Sequence, residues 1–163
     1  MNTEKKVSWL QEQTVETGSI NGYKYFILMA PPYGKDGAMN GYVVFPKKPL
    51  RQDGYDGLAA YVPVHGGITY AKEVAGEGFV YGFDTLHYQS ELSPVDDKEW
   101  IKGQCKIMVN AILVASKVEA KYMKCLTDSG KYKYCQMVRN AAEKPENAPI
   151  NMSETLRLMS GKL

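Results

Sequence analysis

The chain contains two histidines, His65 and His87, and each lies in a short segment marked by glycine or aromatic residues. Histidine exchanges a proton near neutral pH, and its ring nitrogens also bind metals and phosphates. His65 is followed by Gly66 and Gly67, whose backbone freedom lets a ligand approach and lets their amides form an anion site. We therefore expect an acid–base or phosphate-binding site around His65, with a simple tight turn as the alternative.

Three further polar residues flank this pair. Asp84 precedes His87 by three residues, so its carboxylate could hold an imidazole in one orientation, or it could instead cap its own loop. Thr69 and Tyr70 follow the two glycines and offer a hydroxyl to a phosphate and a ring to a base. We predict that His65, His87 and Asp84 are catalytic and that Gly66, Gly67, Thr69 and Tyr70 bind the ligand.

Tyrosine is abundant, with 12 residues in the chain. Those near the candidate site are Tyr42, Tyr55, Tyr61, Tyr70, Tyr81 and Tyr88. We expect most tyrosines to pack as amphipathic side chains. Tyr42, Tyr70 and Tyr81 are predicted to line a pocket and to stack on a purine.

Several enzyme classes lack their motifs in this sequence. There is no G-x-S-x-G nucleophile elbow, no phosphate loop and no dinucleotide-binding fingerprint. Two histidines and an aspartate could hold zinc, but structural zinc sites use four closely spaced ligands, and no cysteine is near the pair in sequence. We predict no cofactor and keep a catalytic divalent metal as the alternative.

Composition narrows the class of protein. A chain of 163 residues suits one domain spanning 1–163, and 20 basic against 18 acidic residues leave a net charge of +2, too small for a duplex-binding protein. Three cysteines without a C-x-x-C pair predict a reducing, cytoplasmic location. No stretch approaches the roughly 20 apolar residues of a membrane helix. We expect a soluble protein that does not contact membranes.

The apolar pattern predicts an α+β fold with a mostly antiparallel sheet packed against one long helix. An Asn-Gly pair at 21–22 separates β-favouring residues in mixed alternation over 7–16 from an aromatic and branched run over 23–29, which predicts a hairpin. Further strands are predicted at 41–46, 58–64 and 78–84, with 73–77 as a short loop. The strands at 58–64 and 78–84 would bring both histidines to one sheet edge.

The second half of the chain predicts helices. Ser93 and Pro94 favour a helix start, and an apolar stripe follows at helical spacing: Ile101, Cys105, Met108, Ile112 and Ala115. This helix is expected to end near 127–130. Residues 131–143 favour another helix, 145–152 an extended connector, and 153–163 a short apolar terminal helix that could form a homodimer interface.

Three blocks of the chain resemble a small phage-encoded family, over about the middle third of the sequence. The blocks are a Gly-Tyr strand ending in proline (41–46, continuing to 55–56), a His-Gly-Gly-hydrophobic-Thr segment (64–70) and a Gly-Phe-Asp block closed by histidine (82–87). The family pattern continues with a small residue, glycine and aspartate, where this chain has 88–91 as Tyr-Gln-Ser-Glu. An acidic role there would shift to Glu91.

The resemblance implies a phage or prophage origin, and small phage proteins often counter host defences by binding or degrading nucleotide signals. We predict cleavage of a phosphodiester in a nucleotide second messenger within the cytoplasm of an infected bacterium, with His65 and His87 as general base and acid. Asp84 would tune one of them, while Thr69 and the glycine amides hold the phosphate. The alternatives are sequestration of the same ligand without turnover and, from a third class, a protein-interaction module.

Overall fold

The computed structural model describes residues 7–50, 59, 62–86 and 92–122, with only the backbone for 118–122. The elements in chain order are α1 (Trp9–Gln13), β1 (Thr14–Ile20), β2 (Tyr23–Met29), β3 (Met39–Phe45), β4 (Tyr70–Val74), β5 (Gly78–Phe83) and α2 (Lys98–Tyr122). The strands form one antiparallel sheet in the order β1-β2-β3-β5-β4, and α2 packs on it. The predicted α+β class is confirmed. The expected C-terminal helices and the connector at 145–152 lie outside the described residues.

The hairpin between β1 and β2 follows from its turn residues. Asn21 and Gly22 both have positive φ, 50° and 84°, as a two-residue type I′ turn requires. The Asn21 amide Nδ2 also donates to Asn110 Oδ1 at 2.8 Å, which ties the turn to α2. The predicted hairpin is confirmed, but its first strand begins later than expected. Ser8 caps α1 by accepting from the Gln11 amide, so 9–13 is helical and only 14–20 is strand.

The main core lies between the sheet and α2, on what we call the α2 face. The predicted helical stripe is confirmed, since all five of its side chains are fully buried. The helix starts at Lys98 rather than near Pro94, because the Val95 carbonyl accepts from the Met39 amide of β3 and is held to the sheet. Asp97 then serves as the cap and accepts from the Glu99 amide at 2.9 Å.

The opposite side of the sheet, the α1 face, carries a smaller apolar cluster. Its buried members are Leu10, Phe26, Leu28, Val44, Val74 and Val80. Because side chains alternate along a strand, each of β2, β3 and β5 contributes to both faces. Among the described residues, the helix on the α1 face is α1, and side chains such as Trp9, Tyr42 and Tyr70 are partly exposed there.

The strand predicted at 58–64 is wrong for the residues described there. Ala59, Val62 and Val64 are buried, but none of them is in a strand. The Val62 amide donates to the Ala59 carbonyl in a turn, and Pro63 has no amide hydrogen to give a sheet. The neighbours of β5 are β3 on one side and β4 on the other. Strand β4 includes part of the segment 73–77, which was expected to be a loop. Among the described residues no helix is long and apolar enough to cross a membrane.

Candidate functional site

His65 lies in a tight turn beside α2. The Gly67 amide donates to the Val64 carbonyl at 2.9 Å, and Gly66 has φ of 70°, the conformation of a type II turn that favours glycine at this position. The His65 backbone amide donates to Gln104 Oε1 at 2.9 Å, and its ring packs edge-on to Trp100 with centroids 5.3 Å apart. The tight turn, which was the alternative interpretation of this segment, is therefore present. His65 is partly exposed at the corner of this turn.

The residues after this turn lead the chain into the sheet. A Cβ built on Gly67, whose φ is 79°, would meet no atom within 4 Å, so the space above it is open. The Thr69 amide donates to the Gly82 carbonyl at 2.9 Å, and the Thr69 side chain is exposed. Tyr70 begins β4 and contacts the rings on the α1 face. The segment from His65 to Tyr70 therefore joins the α2 side of the molecule to the α1 face.

Three aromatic rings meet on the α1 face, and we call them the three-ring cluster: Trp9, Tyr42 and Tyr70. Their centroids are 5.4 Å apart for Trp9 and Tyr42 and 5.7 Å apart for each of the other two pairs, all in edge-to-face geometry. Each residue is partly exposed. Tyr42 and Tyr70 both pair with Gly82, from β3 and β4, so the bare backbone of Gly82 forms the floor between them.

The polar groups beside the cluster favour a protonated Tyr42 hydroxyl. Burial raises the Tyr42 pKa above its usual 10.0, electrostatic interactions with Tyr70 and Asp84 raise it further, and a hydrogen bond with Asn40 opposes the shift. Tyr42 therefore remains a hydrogen-bond donor well above neutral pH. The Lys72 ammonium lies 5.6 Å from the Tyr70 ring centroid and adds a positive charge at the edge of the cluster.

Asp84 organises the chain after β5. Its Oδ1 accepts from the Leu86 amide at 3.0 Å, a local turn of the kind that aspartate often makes. Beside it, buried Asn40 accepts from the Thr85 amide at 3.0 Å and from its hydroxyl at 3.3 Å, which fixes the start of β3 to the end of β5. Asp84 therefore caps its own loop through Oδ1, as the alternative interpretation of the sequence stated. His87 lies outside the described residues, and its orientation by Asp84 stays a prediction.

The structure corrects the place of Tyr81. Its side chain is fully buried in the main core, with ring centroids 5.1 Å from Phe79 and 5.8 Å from Phe45. Since neighbouring strand residues point to opposite faces, Tyr81 lies on the α2 face while Gly82 faces Tyr42. The expected ligand contact is replaced by core packing.

The predicted site residues therefore divide between two sides of the sheet. Tyr42 and Tyr70 contact one another on the α1 face, whereas His65 contacts the helix on the other side. Trp9 was missed because the sequence placed it in a strand. The serine before it, Ser8, is a helix-capping residue and was the signal that could have placed Trp9 in a helix.

In the part of the chain that the structure describes, no three His, Cys, Asp or Glu side chains are grouped as metal ligands. No family model, curated protein or solved structure matches the chain. Its function is accordingly inferred from the residues of the three-ring cluster and of the His65 turn.

Proposed function

We propose that the protein binds a phosphorylated, nucleotide-derived small molecule at the three-ring cluster and sequesters it intact. The observation that carries this proposal is the meeting of three partly exposed rings on the glycine floor of Gly82. A purine presents a flat apolar face with polar edges. Aromatic side chains with one polar end, such as Tyr42 and Tyr70, match both features.

The polar neighbours of the cluster suit the edges and the phosphate of such a ligand. The Tyr42 hydroxyl is a donor, and the Asp84 carboxylate is an acceptor that could take a hydrogen bond from an exocyclic amine of a base. Lys72 is exposed beside Tyr70 and would meet a phosphate as a point charge. These groups support recognition of a base and an anionic group on one face of the sheet.

The resemblance to a phage-encoded family favours the nucleotide signals of bacterial defence as ligands. Sequestration of such a signal in the cytoplasm of an infected cell would be a counter-defence function. The homodimer suggested by the terminal apolar segment stays a prediction, since 153–163 lies outside the described residues.

Cleavage of the ligand is the second candidate, and the partly exposed His65 turn favours it. His65 would act as one partner of a general acid–base pair with His87, and Asp84 would tune one of the two. The Gly66 amide and the Thr69 hydroxyl would hold the phosphate, whereas the Gly67 amide already donates to the Val64 carbonyl and closes the turn. The open space above Gly67 leaves room for that contact.

The test is to incubate the purified protein with cyclic dinucleotides and ADP-ribose-derived signals, with and without a chelator, and to follow each compound by chromatography and mass. Depletion that heat denaturation reverses, with the intact compound returned, supports sequestration. New products support cleavage, and their loss on chelation would assign a metal. Recovery of every compound unbound and unchanged would overturn both candidates.

Substitutions separate the two sites. Trp9→Ala should weaken ligand retention, while Tyr33→Ala provides a matched control because Tyr33 is an aromatic residue with 88% of its surface exposed. His65→Ala should leave retention unchanged if the ligand is only sequestered, and it should abolish turnover if the ligand is cleaved. If Trp9→Ala retained as much ligand as the control Tyr33→Ala, the three-ring cluster would be excluded as the binding site.

A further inference from the structure

Helix α1 depends on tertiary contacts for its existence. It has five residues, whereas isolated helices shorter than about 12–15 residues are marginal in water. One contact is apolar, because Leu10 is fully buried against the α1 face. The same helix carries Trp9, so whatever docks α1 also determines whether the three-ring cluster is complete.

The second contact is a buried carboxylate, Glu77, in the turn between β4 and β5. Its side chain is 3% exposed, and Oε1 accepts from the Ser8 hydroxyl at 2.8 Å and from the Gln11 side-chain amide. Its other oxygen, Oε2, accepts from the Lys24 ammonium of β2 at 3.3 Å. A carboxylate whose side chain is covered in this way is stabilised by such donors, and undocking of α1 would remove two of them.

Ser8 connects this contact to the helix itself. Its hydroxyl donates to Glu77 and accepts from the Gln11 backbone amide at 3.3 Å, so one side chain both caps α1 and anchors it. Glu77 and Tyr70 belong to the same β4–β5 hairpin. The hairpin that supplies one ring of the cluster therefore also holds the helix that supplies another.

We propose that Glu77 is a positioning residue that docks α1 and thereby holds Trp9 against Tyr42 and Tyr70. The importance of Glu77 for ligand binding rests on the proposed function, whereas its role in docking α1 on the sheet does not. Loss of the carboxylate should release Trp9 from the cluster while the main core, on the other face of the sheet, stays folded.

The experiment reads Trp9 directly in protein without ligand. The chain has two tryptophans, so a Trp100→Phe background leaves Trp9 as the only one. Emission wavelength and acrylamide quenching are measured for Glu77→Ala, for Glu77→Gln and for the control Glu73→Gln. Glu73 is an exposed carboxylate on the same hairpin. Thermal unfolding followed by circular dichroism reports whether the core is intact in each variant.

Glu77→Ala should shift the Trp9 emission to longer wavelength and increase quenching, with a cooperative unfolding transition retained. Glu77→Gln should shift less, because its amide oxygen can still accept from Ser8 and Gln11. Glu73→Gln should match the parent. Unchanged emission in a folded Glu77→Ala protein would overturn the proposal and show that apolar packing of Leu10 and Trp9 docks the helix without the carboxylate.

Gln11→Met keeps the test decisive if Glu77→Ala does not fold. Gln11 is exposed, and its replacement removes one donor without touching the core. It should also shift the emission to longer wavelength, and an unchanged emission would again overturn the proposal. A shift in emission combined with no nucleotide binding by the parent protein would retain Glu77 as a positioning residue while rejecting the proposed function.

Discussion

The ring of Tyr42 lies directly over Gly82, and a Cβ built on Gly82 would stand 2.4 Å from Tyr42 Cδ1. Contacts this short do not occur, so any side chain at this position must displace the ring. Because Gly82 has no side chain, the rings of Tyr42 and Tyr70, on the strands that flank β5, can approach to 5.7 Å between their centroids. The three-ring cluster thus requires a glycine at its centre.

Gly82→Ala should displace Tyr42 and weaken both stability and ligand retention. Overpacking of this kind costs about 1–3 kcal/mol of unfolding free energy. Gly103→Ala is the matched control, since its Cβ would meet nothing within 4 Å and alanine favours a helix by about 1 kcal/mol over glycine. Urea unfolding and ligand retention are measured for both variants. Wild-type retention in Gly82→Ala would contradict the role given to this surface.

Gly41→Ala should destabilise the main core. The added Cβ would stand 2.5 Å from Phe83 Cε1 and 2.7 Å from Cys105 Sγ, and overpacking here also costs about 1–3 kcal/mol. Cys105→Ala removes the sulfur, so the double variant should lose less stability than the sum of the two single changes. Strict additivity in a urea-unfolding double-mutant cycle would show that Gly41 and Cys105 do not compete for space.

The free energy of unfolding should fall in alkaline solution. Burial raises the pKa of the Cys105 thiol from 9.0 to about 12, and burial followed by the Glu16 hydrogen bond raises that of Tyr25 from 10.0 to about 12. The unfolded chain therefore loses these protons at lower pH than the folded chain. Stability is fully present below pH 9 and is lost as the pH rises toward 12.

Urea unfolding from neutral pH to about pH 11 tests this dependence. Cys105→Ala should show a shallower loss than the parent, because one of the two shifted groups is absent. An identical slope in both proteins would mean that the thiol does not contribute.

Acid should destabilise the protein through Glu77. Burial raises its pKa, but the hydrogen bonds from Ser8, Gln11 and Lys24 outweigh burial and hold the pKa below its usual 4.5. A carboxyl whose pKa is lower in the folded chain than in the unfolded chain stabilises the fold at pH values above its unfolded-state pKa. That stability is lost as the pH falls through its folded-state pKa. Glu77→Gln should flatten the dependence below about pH 4.5.

Asp96→Asn is the control for the acid experiment. Asp96 also has a lowered pKa, through a hydrogen bond to its own backbone and then its contact with Lys35, but both side chains of that ion pair are exposed. Exposed ion pairs contribute little to stability. An acid dependence that changes more in Asp96→Asn than in Glu77→Gln would contradict the assignment to Glu77.

Much of the fold could be predicted from neighbouring residues. The Asn-Gly hairpin and the stripe of α2 follow from preferences of a few consecutive positions, and both are confirmed. The segment 58–64 was mistaken for a strand because its apolar residues are indeed buried, but as a loop. Hydrophobicity reports burial more directly than it reports backbone conformation.

The candidate site was less predictable for the same reason. Tyr81 and Tyr42 looked alike as tyrosines in apolar strands, yet Tyr81 is fully buried in the main core and Tyr42 is partly exposed on the α1 face. The face that each occupies depends on the strand register and on which helix covers that face. Neither property is encoded in the immediate neighbours of a tyrosine.

By itself, the sequence determined the turn at Asn21 and Gly22 and the apolar stripe of α2, because each depends on backbone preferences and spacing within one segment. It also determined the α+β class, which follows from the types of these segments. Only the tertiary structure decided that Trp9 joins Tyr42 and Tyr70 over Gly82, with His65 beside α2 instead. These are contacts between segments far apart in the chain, and sheet pairing and helix docking select them together.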